Sequence, residues 1–333
     1  MNIFTSAAPN YFPKVATLFE SIKKFHPEWQ TTWLVVEQKE KFDLSQVKAC
    51  PFIDKLFFLD DLNIFSEKWA FGNNIEEMCT AAKPWYVKQL FESGELSQVL
   101  FFDPDMVLFS PVDELESLFE SESILLTPHL CKPEENLEAV LDNELCSLKH
   151  GVFNLGFFGI KNDDQGAAFV NWWAERLLFF CHADLSKGVW TDQKWINFAP
   201  VFFDRVKILK SGKYNLAPWN VGQREIKGTL DEGISVEGEP LAFFHFTGFD
   251  SGMHEVMLKK YLKGRDFLLE LPKWYREKLK EHSASFPEWS LNFFHSGEKI
   301  SEDSRKNYLE SNFDPKLRED SPYSRSNDYF RRS

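Results

Sequence analysis

Asp103 and Asp105 follow directly on the apolar run Val99-Leu100-Phe101-Phe102 and flank a single proline, Pro104. Such a run reads as a buried strand, which leaves both carboxylates at its carboxyl end. In extended chain, residues i and i+2 project to the same side, and proline stiffens the bend between them. Two hard oxygen ligands so placed can hold Mg²⁺ or Mn²⁺, and the cation can then bind a diphosphate. Acid-x-acid pairs also serve as turns and helix caps, so the spacing alone leaves both readings open. The setting favours the metal, because open α/β sheets take their ligands beyond the carboxyl ends of their strands.

The surrounding chain has the pattern of such a sheet. Residues 3–7 are short and apolar and end at Pro9, and residues 12–25 carry Val15, Leu18, Phe19 and Ile22 at helical spacing. Apolar runs at 32–36, 55–59 and 98–102 follow, with a helical stretch at 76–93 before the last of them. This alternation predicts βαβ units in a mixed, mostly parallel α/β sheet flanked by helices. Beyond it, residues 151–161 read as a strand and 169–180 as an aromatic-rich helix with Trp172 and Trp173. Residues 202–209 and 241–246 read as strands separated by a loop rich in Gly, Asn and Pro. We read residues 1–282 as one domain and 283–333 as a C-terminal extension, a candidate surface for an acceptor or partner. The extension is expected to be ordered to near residue 320, because Trp289, Phe293, Phe294, Tyr308 and Phe313 need burial.

Composition narrows the function classes. Lys plus Arg total 38 against 51 Asp plus Glu, a formal charge of −13, which argues against nucleic acid as a partner. Aromatics reach 16% of the chain, fitting a large aromatic core better than a sugar-stacking surface. The 5 cysteines are odd in number and form no CxxC pair, which points to a reducing, cytoplasmic setting without zinc or disulfides. No stretch approaches 18 uninterrupted apolar residues, and the first ten residues have no basic and long apolar leader pattern. The basic end around Arg325, Arg331 and Arg332 leaves peripheral attachment to the inner face of a membrane open.

Asp103-Pro104-Asp105 after Val-Leu-Phe-Phe resembles the DxD motif of GT-A glycosyltransferases, and its surroundings resemble the glycogenin and bacterial galactosyltransferase family of retaining enzymes. Other elements occur in that family's order: the opening Ile3-Phe4-Thr5-Ser6-Ala7 with Tyr11, Lys83 upstream of the DxD, Phe153-Asn154-Leu155-Gly156, Asp192-Gln193, Tyr214-Asn215 and His245-Phe246-Thr247-Gly248. The resemblance covers about residues 1 to 250. A group of bacterial glycosyltransferases sharing this DPD and the His-Phe-x-Gly-Phe-Asp segment is closer still.

The resemblance implies a GT-A fold and residue roles. Asp103 and Asp105 would hold the cation, with His245 as third ligand; an imidazole suits Mn²⁺ better than Mg²⁺, which prefers all-oxygen shells. Thr5, Ser6, Ala7, Tyr11 and Gly248 would bind the nucleotide, UDP favoured. Lys83 would oppose the donor phosphates or a sugar hydroxyl, against the alternative of a solvated helix lysine. Asn154 and Gly156 would line the sugar pocket, the glycine by allowing close backbone approach. Asp192 would bind sugar hydroxyls with Gln193 near the anomeric carbon, against the alternative that Thr191 or Asp192 caps a helix. Trp219 is read as core before acceptor platform.

The family follows His-x-x-Gly with Lys-Pro-Trp, whose lysine meets a donor phosphate. Here Phe249-Asp250-Ser251-Gly252 follows, leaving that contact to Lys83 or Arg224. The implied activity is metal-dependent transfer of a hexose from a nucleoside diphosphate sugar to a glycan or lipid-linked acceptor, with retention, in surface polysaccharide or lipopolysaccharide assembly. An inverting reaction would need a general base, for which Asp250 and Glu255 are candidates. Two rivals are a non-catalytic carbohydrate-binding protein and a sugar-nucleotide nucleotidyltransferase. The second normally carries a Gly-rich basic signature near the start, which Thr5-Ser6-Ala7-Ala8-Pro9 lacks.

Overall fold

The four apolar runs of the first third become β1 (Asn2–Ala7), β2 (Gln30–Val35), β3 (Lys55–Phe58) and β4 (Gln98–Phe102) in a computed structural model describing residues 1–311 and 321–331. They pair in parallel, linked by helices that include Phe12–Phe25 and Ile75–Glu92. After β4 come β5 (Met106–Leu108), β6 (Ile124–Pro128), β7 (Phe153–Lys161) and β8 (Val206–Ile208). The main sheet has seven strands in the order β3-β2-β1-β4-β7-β6-β8, with β7 antiparallel to both its neighbours. This is the mixed, mostly parallel sheet read from the sequence.

Burial on both faces explains why the central strands read as unbroken apolar runs. Along β4, Val99 and Phe101 enter the core beneath the helices Ile75–Glu92 and Asp164–Phe180, while Leu100 and Phe102 enter the core beneath Phe12–Phe25. The rings of Phe101 and Phe158 stack 4.8 Å apart in the first of these layers. Each such phenylalanine contributes about 2 kcal/mol by leaving water, so the aromatic surplus is largely accounted for by the core.

The second half departs from the sequence reading in two places. Only Val206–Ile208 of the expected strand 202–209 is extended; Ala199–Phe202 is a short helix with Pro200 at its start, and Arg205 has a left-handed backbone, φ 56°. Proline preset for the first helical turn outweighs the strand preference of Phe202 and Phe203. The glycine-rich segment read as loop contains a small antiparallel sheet, β9 (Ile226–Thr229), β10 (Gly233–Val236) and β11 (Glu239–Pro240). The last strand, β12 (Phe243–His245), lies outside the main sheet, paired with β5 on one side and bridged to Leu216 on the other.

Residues beyond 283 fold back over the first core. Trp289 and Phe294 are buried, Phe293 and Tyr308 half-buried; Phe313 and Arg332 lie outside the described residues. The Glu37 carboxylate accepts from both the backbone N–H and the hydroxyl of Ser290. The buried Arg305 guanidinium donates to the carbonyls of Phe71 (2.8 Å), Asn73 (2.7 Å) and Leu291 (2.7 Å). No helix among the described residues is long and apolar enough to cross a membrane.

Replacing Arg305 by Ala leaves these carbonyls buried without donors, each unmade bond costing on the order of 1 kcal/mol. Urea unfolding of Arg305→Ala is expected to show a loss of about 3 kcal/mol, with proteolysis accelerating beyond residue 283. An unchanged midpoint would refute this anchoring role.

Candidate active site

The two aspartates converge through a turn, not through extended chain as the spacing suggested. Between β4 and β5 the Met106 N–H donates to the Asp103 carbonyl at 3.0 Å. β12 then runs antiparallel along β5, His245 opposite Met106, and the Phe246 N–H closes on the Asp105 carbonyl at 2.8 Å. A ribbon of two three-residue strands thus brings together residues 140 positions apart. His245 Nε2 lies 3.0 Å from an Asp105 oxygen and 4.0 Å from an Asp103 oxygen. One ligand atom from each of Asp103, Asp105 and His245 falls within 4.8 Å of the others.

The imidazole is aimed from behind. Its Nδ1 lies 3.2 Å from Asn154 Oδ1, an oxygen that also accepts from Asn215 Nδ2 (3.0 Å) and the Gly156 N–H (3.2 Å). With that oxygen an acceptor, the assigned tautomer of neutral His245 carries its proton on Nδ1 and turns the Nε2 lone pair to the carboxylates. Asn215 reaches this position from a left-handed backbone, φ 51°. At Gly156 a Cβ would sit 2.6 Å from His245 Cε1 and 2.9 Å from Nδ1. The close approach that this glycine permits is therefore to the imidazole.

The charges show what the site asks for. Burial pushes the Asp103 carboxyl up, and Lys83 does not fully offset it. Burial would raise Asp105 too, but His245, its hydrogen bond and the Lys14 charge carry it down to about 2. Burial disfavours a charged His245, yet Asp105 outweighs it and raises the imidazole above its usual range. Two carboxylates and an imidazole in this arrangement call for positive charge between them, and their oxygen-oxygen-nitrogen donor set fits Mn²⁺.

Lys83 is not the solvated lysine that its helix would allow. It is 3% exposed, with Nζ 3.1 Å from Asp192 Oδ2, 3.5 Å from Asp103 Oδ1 and 4.3 Å above the Phe101 ring. Burial works against its charge, but the two carboxylates more than compensate and keep it protonated. Asp192 accepts also from the Thr191 hydroxyl at 3.3 Å, and neither residue caps the helical turn Lys194–Phe198 that follows. Thr191 has φ 41°, a conformation costing a β-branched residue on the order of 1–3 kcal/mol. The Gln193 amide donates to the His150 carbonyl (3.0 Å) and accepts from the Leu155 N–H (3.4 Å), which fixes its orientation.

These groups line one cavity of about 880 Å³. Ser6, Ala7, Tyr11, Asn154, Gly156, Asp192, Gln193 and Gly248 all contribute to its lining. Thr5 is fully buried within β1 and does not line the cavity. Arg224 is not available to a phosphate, since its guanidinium donates to the carbonyls of Gly212 and Tyr214. Trp219, read as core, is half-buried in the cavity wall with its indole N–H on the His129 carbonyl at 3.0 Å. His129, Cys146, His150 and Trp190 also line this side, and no spacing in the sequence marks them.

Sheet order, the turn-borne carboxylates and the cavity at the strand ends together define a GT-A fold. The crystal structure of the galactosyltransferase LgtC in complex with donor and acceptor sugar analogs aligns with TM-score 0.50 and 16% identity, over 86% of this chain and 98% of that one. In sequence, the chain is 24% identical over 297 residues to the uncharacterized protein YfnD of Bacillus subtilis (strain 168), covering 84% of this chain and 89% of YfnD. It is 28% identical over 181 residues to YfnF of the same organism, covering 52% of this chain and only 57% of YfnF. No protein-family model matches the chain.

Removing the partner that orients a metal-ligating histidine typically weakens the metal 10–100-fold. Asn154→Ala is expected to weaken Mn²⁺ binding about tenfold by calorimetric titration. Gly156→Ala should weaken it at least as much, because the methyl displaces the imidazole; wild-type affinity in both would refute this geometry. Burial lowers His129 and His254 from 6.5 to about 4. Both stay neutral in the fold while the unfolded chain takes up protons below pH 6.5, so their contribution falls as pH drops from 6.5 to 4. Each should cost roughly 2 kcal/mol at pH 5 relative to pH 7. Unfolding of His254→Asn at the two pH values is expected to show a correspondingly smaller pH-dependent loss than wild type.

Proposed function

We propose that this protein is a divalent-metal-dependent glycosyltransferase that moves a hexose from a nucleoside diphosphate sugar to a glycan or lipid-linked acceptor. The observation that carries the reading is the meeting of Asp103, Asp105 and His245 with the buried Lys83–Asp192 pair at one end of a single cavity. A bound cation would supply Lewis-acid stabilisation of the departing diphosphate. Lys83, kept charged by its two carboxylates, adds preorganised positive potential at the same place. The lining segment Ser6–Tyr11 is the proposed seat of the nucleotide, and UDP is the favoured nucleotide. Asn154, Asp192 and Gln193 would face the sugar, with Trp190 and Trp219 toward the acceptor.

Retention is the proposed stereochemistry, and the distribution of acids supports it. Of the carboxylates lining the cavity, Asp103 and Asp105 face His245, and Asp192 is bound to Lys83. Asp142 is held by Lys260 and the Tyr261 hydroxyl, and Glu76 is exposed at the edge. Asp103, Asp105, Asp142 and Asp192 are thus each engaged by a neighbouring side chain, and the fifth lining acid, Glu76, is open to solvent. Glu255, a candidate base for inversion, pairs with Arg276 and Lys259 and does not line the cavity. The acceptor hydroxyl would then attack from the side of the leaving diphosphate, whose oxygen takes its proton.

A thermal-shift panel of UDP-, GDP-, dTDP- and CMP-linked sugars, each with Mn²⁺ and with EDTA, tests the reading, because a ligand of the folded state must raise its apparent stability. A Mn²⁺-dependent shift with one nucleotide, lost in Asp105→Ala, is the expected result. No shift with any of them at millimolar concentration would overturn it in favour of a carbohydrate-binding protein.

A further inference from the structure

At the edge of the metal trio lies a second charged group that the proposed reaction leaves unused. Lys14, on the helix Phe12–Phe25, is 7% exposed, yet its Nζ lies 2.6 Å from an oxygen of Asp250, whose side chain is 60% exposed. The Tyr11 hydroxyl points to the same Asp250 oxygen at 3.5 Å, and the Lys14 ammonium lies 4.4 Å over the Tyr11 ring. The hydroxyl of fully buried Tyr275 has no partner. Tyr275 feels the charges of both Asp105 and Asp250, so it belongs to the same neighbourhood. A buried cation and the Tyr11 phenol thus converge on one acceptor, a surface carboxylate.

That carboxylate can leave where the cation cannot. Asp250 sits between Gly248 and Gly252, at φ 70° and 76°, in a turn whose flanking Thr247, Gly248 and Met253 line the cavity. Lys83 is committed to buried Asp192 and half-buried Asp103, and Arg224 to backbone carbonyls. Lys14 is the remaining cation near the trio whose partner reaches solvent, and its charge already acts on Asp105. Neither Lys14 nor Asp250 itself lines the cavity, but Tyr11 and Gly248 do, Tyr11 in contact with Asp250 and Gly248 two residues before it. Displacing Asp250 would therefore open Lys14 toward a diphosphate held there.

We propose that the Asp250 carboxylate is an internal stand-in for a phosphate group, seated on Lys14 and Tyr11, and that a nucleoside diphosphate displaces it. Asp250 competes with the ligand, and Lys14 binds whichever anion is present. This rests on the proposed function and names the residue that meets the diphosphate where the sequence offers no lysine after Gly248. Opposite effects follow for the two halves of one ion pair. Removing Lys14 takes away a charge-assisted bond and should loosen the diphosphate; neutralising Asp250 removes the competitor and should tighten it.

The test is calorimetric titration of UDP and GDP, in the presence of Mn²⁺, into wild type, Lys14→Gln, Lys14→Arg and Asp250→Asn, with unfolding curves confirming that each variant is folded. Lys14→Gln is expected to weaken binding about tenfold, the size of one charge-assisted contact. Lys14→Arg should recover most of the loss, and Asp250→Asn should tighten binding about threefold, in line with a weaker competitor. Unchanged affinity in Lys14→Gln overturns the proposal, as does equal weakening in Lys14→Gln and Asp250→Asn, the pattern of a purely structural bridge. In either case the glycosyltransferase reading stands, because wild type binds. If wild type binds neither nucleotide with Mn²⁺, the functional reading and this proposal fall together.

Discussion

Two carboxylates half-buried side by side repel each other and have lost much of the water that would screen them. Asp103 and Asp105 hold that position only because positive or proton-bearing groups converge on them from different parts of the chain. Lys83 approaches from the helix Ile75–Glu92, His245 from β12 and Lys14 from the first helix. Much of the architecture can be read as the means of that delivery. The parallel strands put the turn at the carboxyl end of the central strand β4, the β5–β12 ribbon brings the imidazole beside it, and Asn154 with Asn215 fixes which nitrogen faces in.

The arrangement also explains local choices that look unfavourable in isolation. A lysine is left almost without water, a threonine is held at positive φ, and a glycine interrupts a fully buried strand. Each of the three touches or positions a charged group of the site. Lys83 ties Asp103 to Asp192, Thr191 hands its hydroxyl to Asp192, and Gly156 makes room for His245. Strain and unusual burial gathered in this way mark a site whose geometry is maintained by the rest of the fold.

How much of this was readable in the sequence depended on whether the signal was local. Strands buried on both faces announce themselves as unbroken apolar runs, which is why β1 to β4, the helices between them and the carboxylates after Phe102 could be placed. The partnership of Lys83 could not. Its helix neighbours are compatible with a solvated face, and its carboxylates come from residues 20 and 109 positions away. Arg224 misled for the converse reason, since nothing near it reveals that Gly212 and Tyr214 would consume its donors. β12 was visible as an apolar run, but its choice of β5 as partner was not. Trp219 and the His129 side of the cavity carry no periodic or spacing signal, because they come together only through tertiary packing.

Arg305 gives the last residues a place in the history of each molecule. The carbonyls it holds, on Phe71 and Asn73, immediately precede the helix that carries Cys79, Thr80 and Lys83 into the cavity wall. A chain emerging from the ribosome exposes that helix well before its anchor, which is made 232 residues after Asn73. The charged wall would then be finished only once residue 305 has been made and folded back. Chains released short of residue 305 would carry every proposed metal ligand and still lack the support behind Lys83.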